Sequence, residues 1–488
     1  MKIKFVHSDL QALGIEYLSA ILKKNGHNVD LIIDPMFPFL KAILNPLKKI
    51  LQLKEKLLRN ILSNTPDIVA FSVTIHNFEW ACQLANEIKK YSNAFIVFGG
   101  IQATLLPEVI FQKVKADFVI RGEAEYVFME LVQSLESDKK WHKIKNLCFQ
   151  DKEKIIINPL RELINNLDEL PFPDKDILPG WFNKKAYRII TSRGCIGECS
   201  YCCAPILKEF YKGLGSKIRR RSVDNVIEEL TLAPAKYNIR KVFFEDDLFT
   251  FDKKWVREFT KQYAKKVNLP CLIHATPETL DLEMIELLKE MNCSCVEIGV
   301  QSLNPEIRQN LLSRYYSNGK IVEIIETLKQ KGIICICDNI VGLPQEKLSD
   351  IKAAIKFYAK LKPGKIEVLR LEFYPQASII EMSNLAKKDK ERINNGELFI
   401  SKGSNYKKVS KMLLLIGLSY ILPAKSVNFL LRKHLFNIFP FFDDFNHVNE
   451  FIYYFSAFFK KNKKIIFISY RNDLLDKIKY VFKNILEN

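Results

Sequence analysis

The chain has 488 residues, is 48% hydrophobic, and carries 74 lysines and arginines against 56 acids, a formal net charge of +18. That length favours two or three domains over one core, and the ordinary Gly and Pro content with no solenoid-length repeat excludes fibrous, disordered and repeat classes. The eleven cysteines follow no secreted disulfide framework, and "MKIKFVHSDL" lacks the apolar core of a signal peptide, so a reducing, cytoplasmic protein is expected. The lysines are spread along the chain with no arginine-rich arm, which reads as a solvated surface and no nucleic-acid partner.

Residues 1–150 alternate strand and helix signals. "KIKFVHS", "VDLIID", "DIVAFSV", "AFIVFGG" and "ADFVIRG" are short apolar runs, separated by helix-periodic stretches such as "GIEYLSAILKK" and "FEWACQLANEIKKY". Strands alternating with helices predict a doubly wound, Rossmann-like parallel sheet, with ligands bound at the carboxyl ends of its strands. Residues 35–62 break the alternation with a helical insertion, and 151–185, rich in proline and acids, read as a linker of turns. A second series runs over 186–385: "YRIITS", "KVFFED", "CLIHAT", "CVEIGV", "ICICDNIVG" and "EVLRLEF", with helix patterns between. Six such repeats predict a partial (β/α)6 barrel whose functional residues follow the strands. The tail, 386–488, is expected to be mostly helical. "KMLLLIGLSYILPAKSVNFLLRK" is broken by Pro423 and Lys425 and is too interrupted to span a membrane. It reads as core helices, with an amphipathic surface in peripheral membrane contact as the competing reading.

"TSRGCIGECSYCCAP" follows the first strand of the second series and concentrates four cysteines. Cys195, Cys199 and Cys202 are spaced C-x3-C-x2-C, so three thiolates can converge from one loop on a metal or cluster. A structural zinc would want a fourth ligand, usually from a separated pair, and none lies at that spacing. Cys203, adjacent to a used ligand, is expected to turn away as a packing residue. Three ligands leave one metal position open, which suits a catalytic iron–sulfur cluster. The competing reading is core cysteines beside a zinc loop.

With Tyr201 in its aromatic place, the loop resembles the C-x3-C-x-aromatic-C signature of the radical S-adenosylmethionine (radical SAM) enzymes. The resemblance implies a [4Fe–4S] cluster on Cys195, Cys199 and Cys202, with the open iron chelated by S-adenosylmethionine. It makes Glu245, Asp246 and Asp247 in "FFEDDLFT" candidates for meeting the methionine amine. It places Gln301 and Ser302 of "EIGVQSLNPEI" near the ligand, Ile340 and Gly342 of "DNIVGLPQE" near the adenine, and Glu346 at the next helix start. An ordinary cap or loop role competes at each position.

The first domain resembles the cobalamin-binding domain of one branch of that family. Asp9, Gln11 and Gly14 of "DLQALG" fit its D-x-H-x-x-G pattern with glutamine in the histidine place, Ser72 and Thr74 fit S-x-L with threonine for leucine, and Gly99 and Gly100 fit its glycine pair. Small residues after parallel strands let a large ligand approach the backbone. Gln11 is a far poorer cobalt ligand than histidine, so base-off, His-off cobalamin is expected. His76 is a possible substitute ligand but is read as a loop residue.

Together the resemblances imply a cobalamin-dependent radical SAM enzyme, first of all a C-methyltransferase. A 5′-deoxyadenosyl radical would take hydrogen from an unactivated carbon, and methyl-cobalamin would supply the methyl group. A cyclase or rearrangement enzyme is the alternative within the branch. A methylthiotransferase is disfavoured because its first domain would carry three cluster cysteines, whereas residues 1–150 hold only Cys82 and Cys148. A non-enzymatic cobalamin or cluster sensor would not need an open iron site. The expected partners are a small-molecule substrate, hydrophobic on the hint of "NIFPFFDDFNHVNEFIYYFSAFFKK", and an electron donor such as flavodoxin or ferredoxin.

Overall fold

The five apolar runs of the first region form parallel strands because each is covered on both faces. In chain order the elements are β1 (Lys2–His7), α1 (Leu13–Lys24), β2 (Asn28–Ile33), α2 (Leu53–Leu62), β3 (Ile68–Ser72), α3 (Phe78–Ile88), β4 (Phe95–Gly99), α4 (Ile101–Leu105), α5 (Pro107–Lys113), β5 (Phe118–Ile120), α6 (Glu125–Glu136), β6 (Leu147–Asp151) and β7 (Lys154–Ile157). Ile3, Phe5, Ile68 and Ala70 pack on one side with α1 and α6, while Val6, Val69 and Phe71 pack on the other with α2 and α3. Burial on both faces is what continuous apolar strands require. The strand order β2-β1-β3-β4-β5-β6-β7 puts the topological switch between β1 and β3. The computed structural model describes residues 1–8, 12–34, 53–137, 140–178, 186–400 and 406–438. Asp9, Gln11, most of the 35–62 insertion and the aromatic tail lie outside the described residues.

The expected linker 151–185 is more structured than its composition implied. β6 and β7 form an antiparallel hairpin that extends the first sheet to Ile157, turning at Lys152 in the left-handed region (φ 54°). Further on, the carboxylate of Asp174 accepts from Ser19 Oγ at 2.7 Å and from Lys23 Nζ at 2.7 Å. Lys175 forms a buried ion pair with Glu16 of α1 and lies 5.0 Å from the centre of the Tyr187 ring, so this segment ties the two sheets together.

The second sheet has six parallel strands in sequential order, each at its expected run. They are β8 (Ala186–Ile189), β11 (Lys241–Phe244), β12 (Cys271–Ala275), β13 (Cys293–Gln301), β14 (Ile334–Val341) and β15 (Lys365–Arg370), with a short ladder of β9 (Ser192–Arg193) and β10 (Arg219–Arg220) beside β8. The intervening helices are α7 (Cys203–Phe210), α8 (Val223–Lys236), α9 (Lys253–Lys266), α10 (Leu282–Glu290), α11 (Asn318–Gln330) and α12 (Leu348–Leu361). After β15 come α13 (Ile379–Met382), α14 (Lys387–Asn394), α15 (Tyr406–Ser419) and α16 (Ala424–Arg432). Leu413, Leu415, Val427 and Leu431 join the core outside the barrel, so this part of the tail packs as core helices. No described helix is long and apolar enough to cross a membrane. All eleven cysteines are free, and the seven outside the cysteine loop are buried.

Removing one partner of a buried pair strands the other charge. Glu16→Ala is therefore expected to lower the unfolding free energy by about 3 kcal/mol, measured by urea denaturation, while Glu16→Met with Lys175→Met recovers most of it.

Candidate cofactor site between the two sheets

The cysteine loop hangs from β8 by one carboxylate. Asp246, after β11, accepts from the Thr191 backbone N–H at 3.1 Å, from Thr191 Oγ1 at 2.8 Å, and from Ser192 Oγ. Gly194 then turns at φ +88°, where an added Cβ would lie 2.0 Å from the Lys217 carbonyl oxygen, so only glycine fits. Lys208 of α7 donates to the carbonyl oxygens of Ile196 and Gly197 at 3.1 and 2.7 Å and staples the loop from below.

Each of the three cysteine sulfurs receives one N–H. Gly197 N donates to Cys195 Sγ at 3.3 Å, Ala204 N to Cys202 Sγ at 3.4 Å, and Arg314 Nη1 to Cys199 Sγ at 3.4 Å. An added Cβ on Gly197 would sit 3.4 Å from Cys195 Sγ and 3.6 Å from Cys199 Sγ, so the glycine leaves open the space those two sulfurs face. Among the described residues no three Cys, His, Asp or Glu side chains are already drawn to metal-ligand distance. The donor set nonetheless fits a thiolate-held cluster: three sulfurs on one loop, each with a donor that stabilises negative charge on sulfur.

The loop faces a cavity of about 450 Å³ between the sheets. Gly14, Ser72 and Gly100 line it from the first sheet, and Cys195, Cys202 and Asp247 from the second. Gly100 (φ +94°) is compulsory, because a Cβ there would meet the Val73 carbonyl oxygen at 2.6 Å. Gly99 ends β4 beside it, whereas Thr74 is exposed, its N–H given to Asn77 Oδ1 at 2.7 Å. Cys203 does not turn away as expected; it lines the same cavity beside Cys202. His76 reaches Glu372 across the junction at 3.0 Å, and that hydrogen bond raises its pKa.

The acidic candidates divide. Asp246 is 1% exposed and its carboxylate is taken up by Thr191 and Ser192, so it does not reach the cavity as expected. Asp247 does, and burial raises its pKa. Glu245 points into the barrel, paired with Arg188 at 3.0 Å. Tyr201 packs against the Ile307–Leu343 cluster rather than the cavity, and burial raises its pKa well above the usual phenol value. Gln301, Ser302, Ile340 and Glu346 line a separate small cavity of about 30 Å³ at the ends of β13 and β14. Gly342 (φ +77°) gives its N–H to Glu346 at 2.8 Å. The inner face of the barrel is charged: His274 lies opposite Glu297, and Asp338 opposite Glu367. Motif reasoning missed Arg314, Glu123 and Arg193. Only Arg193 left a signal, its place two residues before Cys195.

Two outcomes are expected from these contacts. Asp246→Ala, which leaves the buried Thr191 N–H without its acceptor, should cost about 1–3 kcal/mol, while Asp247→Ala, which removes a carboxylate whose charge burial disfavours, should not destabilise at neutral pH, both measured by denaturant unfolding. Burial pushes the Glu346 carboxyl up to about 8, so the folded state holds a proton the unfolded chain has released, and stability falls as pH rises from about 4 to about 8. Glu346→Gln should therefore melt with wild type at pH 4 and above it at pH 9.

The family model of the B12 binding domain matches residues 4–132, and that of the radical SAM superfamily matches residues 189–358. The chain is 29% identical over 307 residues to an uncharacterised methyltransferase of Pyrococcus horikoshii, covering 61% of this chain and 64% of that protein's length. It is 24% identical over 387 residues to cytidylyl-2-hydroxyethylphosphonate methyltransferase of Streptomyces wedmorensis, covering 68% of this chain and 69% of that one. Proteins named as a methylthiotransferase and as cyclases are also similar. The fold matches the cobalamin-dependent S-adenosylmethionine radical enzyme OxsB, solved with aqua-cobalamin and S-adenosylmethionine, with a TM-score of 0.64 at 16% identity over 89% of this chain and 71% of that one. The chain therefore carries a B12 binding domain at residues 4–132 followed by a domain of the radical SAM superfamily at residues 189–358.

Proposed function

We propose that the protein is a cobalamin-dependent radical SAM C-methyltransferase acting on an unactivated carbon of a small molecule. The observation that carries this reading is the shared cavity, with Gly14, Ser72 and Gly100 on one wall and Cys195, Cys202 and Asp247 on the other. Three similar proteins are named methyltransferases and three cyclases, and the match at 29% identity, above the 20–24% of the others, is to a methyltransferase, which supports methylation. When bound, the cluster and S-adenosylmethionine supply a carbon-centred radical oxidant and cobalamin supplies a methyl group.

The chain's own residues hold and orient. Cys195, Cys199 and Cys202 would ligate the cluster, their negative charge met by the N–H groups of Gly197, Arg314 and Ala204. Asp247, one of the three acids expected to meet the methionine amine, is the one placed to accept from the methionine ammonium. Gly14, Ser72, Gly99 and Gly100 would take the corrin side, whereas Gln301, Ser302 and Ile340 line their own small cavity away from it and are given no cofactor contact. The His76 ring is held by Glu372, and a histidine inclined to carry a proton is a poor metal ligand, which supports His-off cobalamin. The charged inner face of the barrel, where Asp338 Oδ1 is buried without a partner, favours a polar substrate over a hydrophobic one. A flavodoxin- or ferredoxin-type donor would supply the electron.

Protein reconstituted with iron, sulfide and hydroxocobalamin and reduced with dithionite is expected to release 5′-deoxyadenosine from S-adenosylmethionine. Cys199→Ala should abolish that release and Cys203→Ala retain it. Equal release by Cys199→Ala and wild type would overturn the assignment.

A further inference from the structure

We propose that Glu123 and Arg193, with Glu125 and Arg219, form a positioning device that fixes the cysteine loop against the cobalamin-facing end of the first sheet and so sets the spacing of the two cofactors. The inference rests on the two-cofactor reading above.

The loop after β5 is the anchor. Glu123 Oε1 accepts from Arg193 Nη1 at 2.9 Å, Glu123 Oε2 accepts from Arg219 Nη1 at 3.0 Å, and Glu125 Oε1 accepts from Arg193 Nη2 at 2.5 Å. Arg193 and Arg219 face each other across the β9–β10 ladder, a like-charge pairing that repels unless an anion sits between them. Glu123 is that anion. The four charges cancel, and the side chains of Arg219 and Glu125 are only 6% and 8% exposed, so solvent screens them little.

The same loop holds the other end of the cysteine segment. Gly122 (φ +70°) lies against Tyr211, which caps α7; a Cβ at Gly122 would sit 1.5 Å from Tyr211 Oη. The Glu123 N–H donates to that Oη at 2.9 Å. Arg193 precedes Cys195 by two residues and Tyr211 ends the helix that begins at Cys203, so all the cluster cysteines lie between two clamps on one loop of the other domain.

That loop is in turn tied to the glycine pair. Thr104 Oγ1 donates to the Gly100 carbonyl oxygen at 2.8 Å and accepts from Gly122 N at 2.8 Å. An unbroken chain of contacts therefore runs from Gly100 through Thr104, Gly122 and Glu123 to Arg193 and Cys195. An apolar contact of similar area would hold as firmly but could slide. A guanidinium gripping two carboxylates through separate nitrogens fixes direction as well as distance.

The test uses holoenzyme in which the reduced cluster and cob(II)alamin are both paramagnetic, with their dipolar coupling read by pulsed electron paramagnetic resonance. Wild type should give one narrow distance distribution. Glu123→Gln, and separately Arg193→Lys, which keeps the charge but loses the fork, should shift and broaden it while each cofactor's own spectrum stays unchanged. An unchanged distribution in both variants overturns the proposal. Loss of a cofactor signal in both variants also overturns it, since the network would then fold the loop rather than set a spacing. If wild type lacks one of the two signals, the two-cofactor reading fails and takes the inference with it.

Discussion

The Asp246 carboxylate holds the peptide that leaves β8, and the arrangement of the site follows from it. Thr191 and Ser192 spend a backbone N–H and two hydroxyls on its oxygens inside a region closed to water. With that point fixed, the Gly194 turn can aim the next residues at one place, and Lys208 can staple them from α7. Three thiols from one loop converge only if the loop has a single conformation, because each alternative would cost the geometry of all three at once.

The two sheets line one cavity, and each contributes what the other lacks. The first offers open backbone at the switch between β1 and β3, with Gly100 too close to Val73 to carry a side chain. The second offers sulfur and charge. The junction between them is polar and buried, with Glu123, Glu125, Arg193, Arg219 and the Glu16–Lys175 pair crossing it. Buried ion pairs add little net stability over apolar packing. What they add here is orientation, which a reaction shared between two large cofactors requires.

The strands of both sheets were legible because each is an apolar run between turn residues, and doubly covered strands leave that pattern wherever they occur. The cysteine loop was legible from spacing alone. The β6–β7 hairpin was not: its second strand, "KIII", is a half-exposed edge strand set between polar residues and proline. The roles of Asp246 and Asp247 could not be separated from sequence, since adjacent side chains leave a strand end in opposite directions and nothing local says which way is inward. Cys203 was misplaced for a related reason: at the first position of α7 it turns back toward Cys202 rather than away. Arg314 and Glu123 reach partners 115 and 70 residues away in sequence, and no short motif encodes such pairings.

The central claim is that Cys195, Cys199 and Cys202 hold a cluster whose remaining iron is open to a small molecule from the shared cavity. Mössbauer spectroscopy of the iron-reconstituted protein, with and without S-adenosylmethionine, tests it most directly. The account predicts a four-iron cluster in which a single iron site changes its parameters when S-adenosylmethionine is added. A spectrum that does not respond, or one from iron bound singly by sulfur ligands, would contradict it.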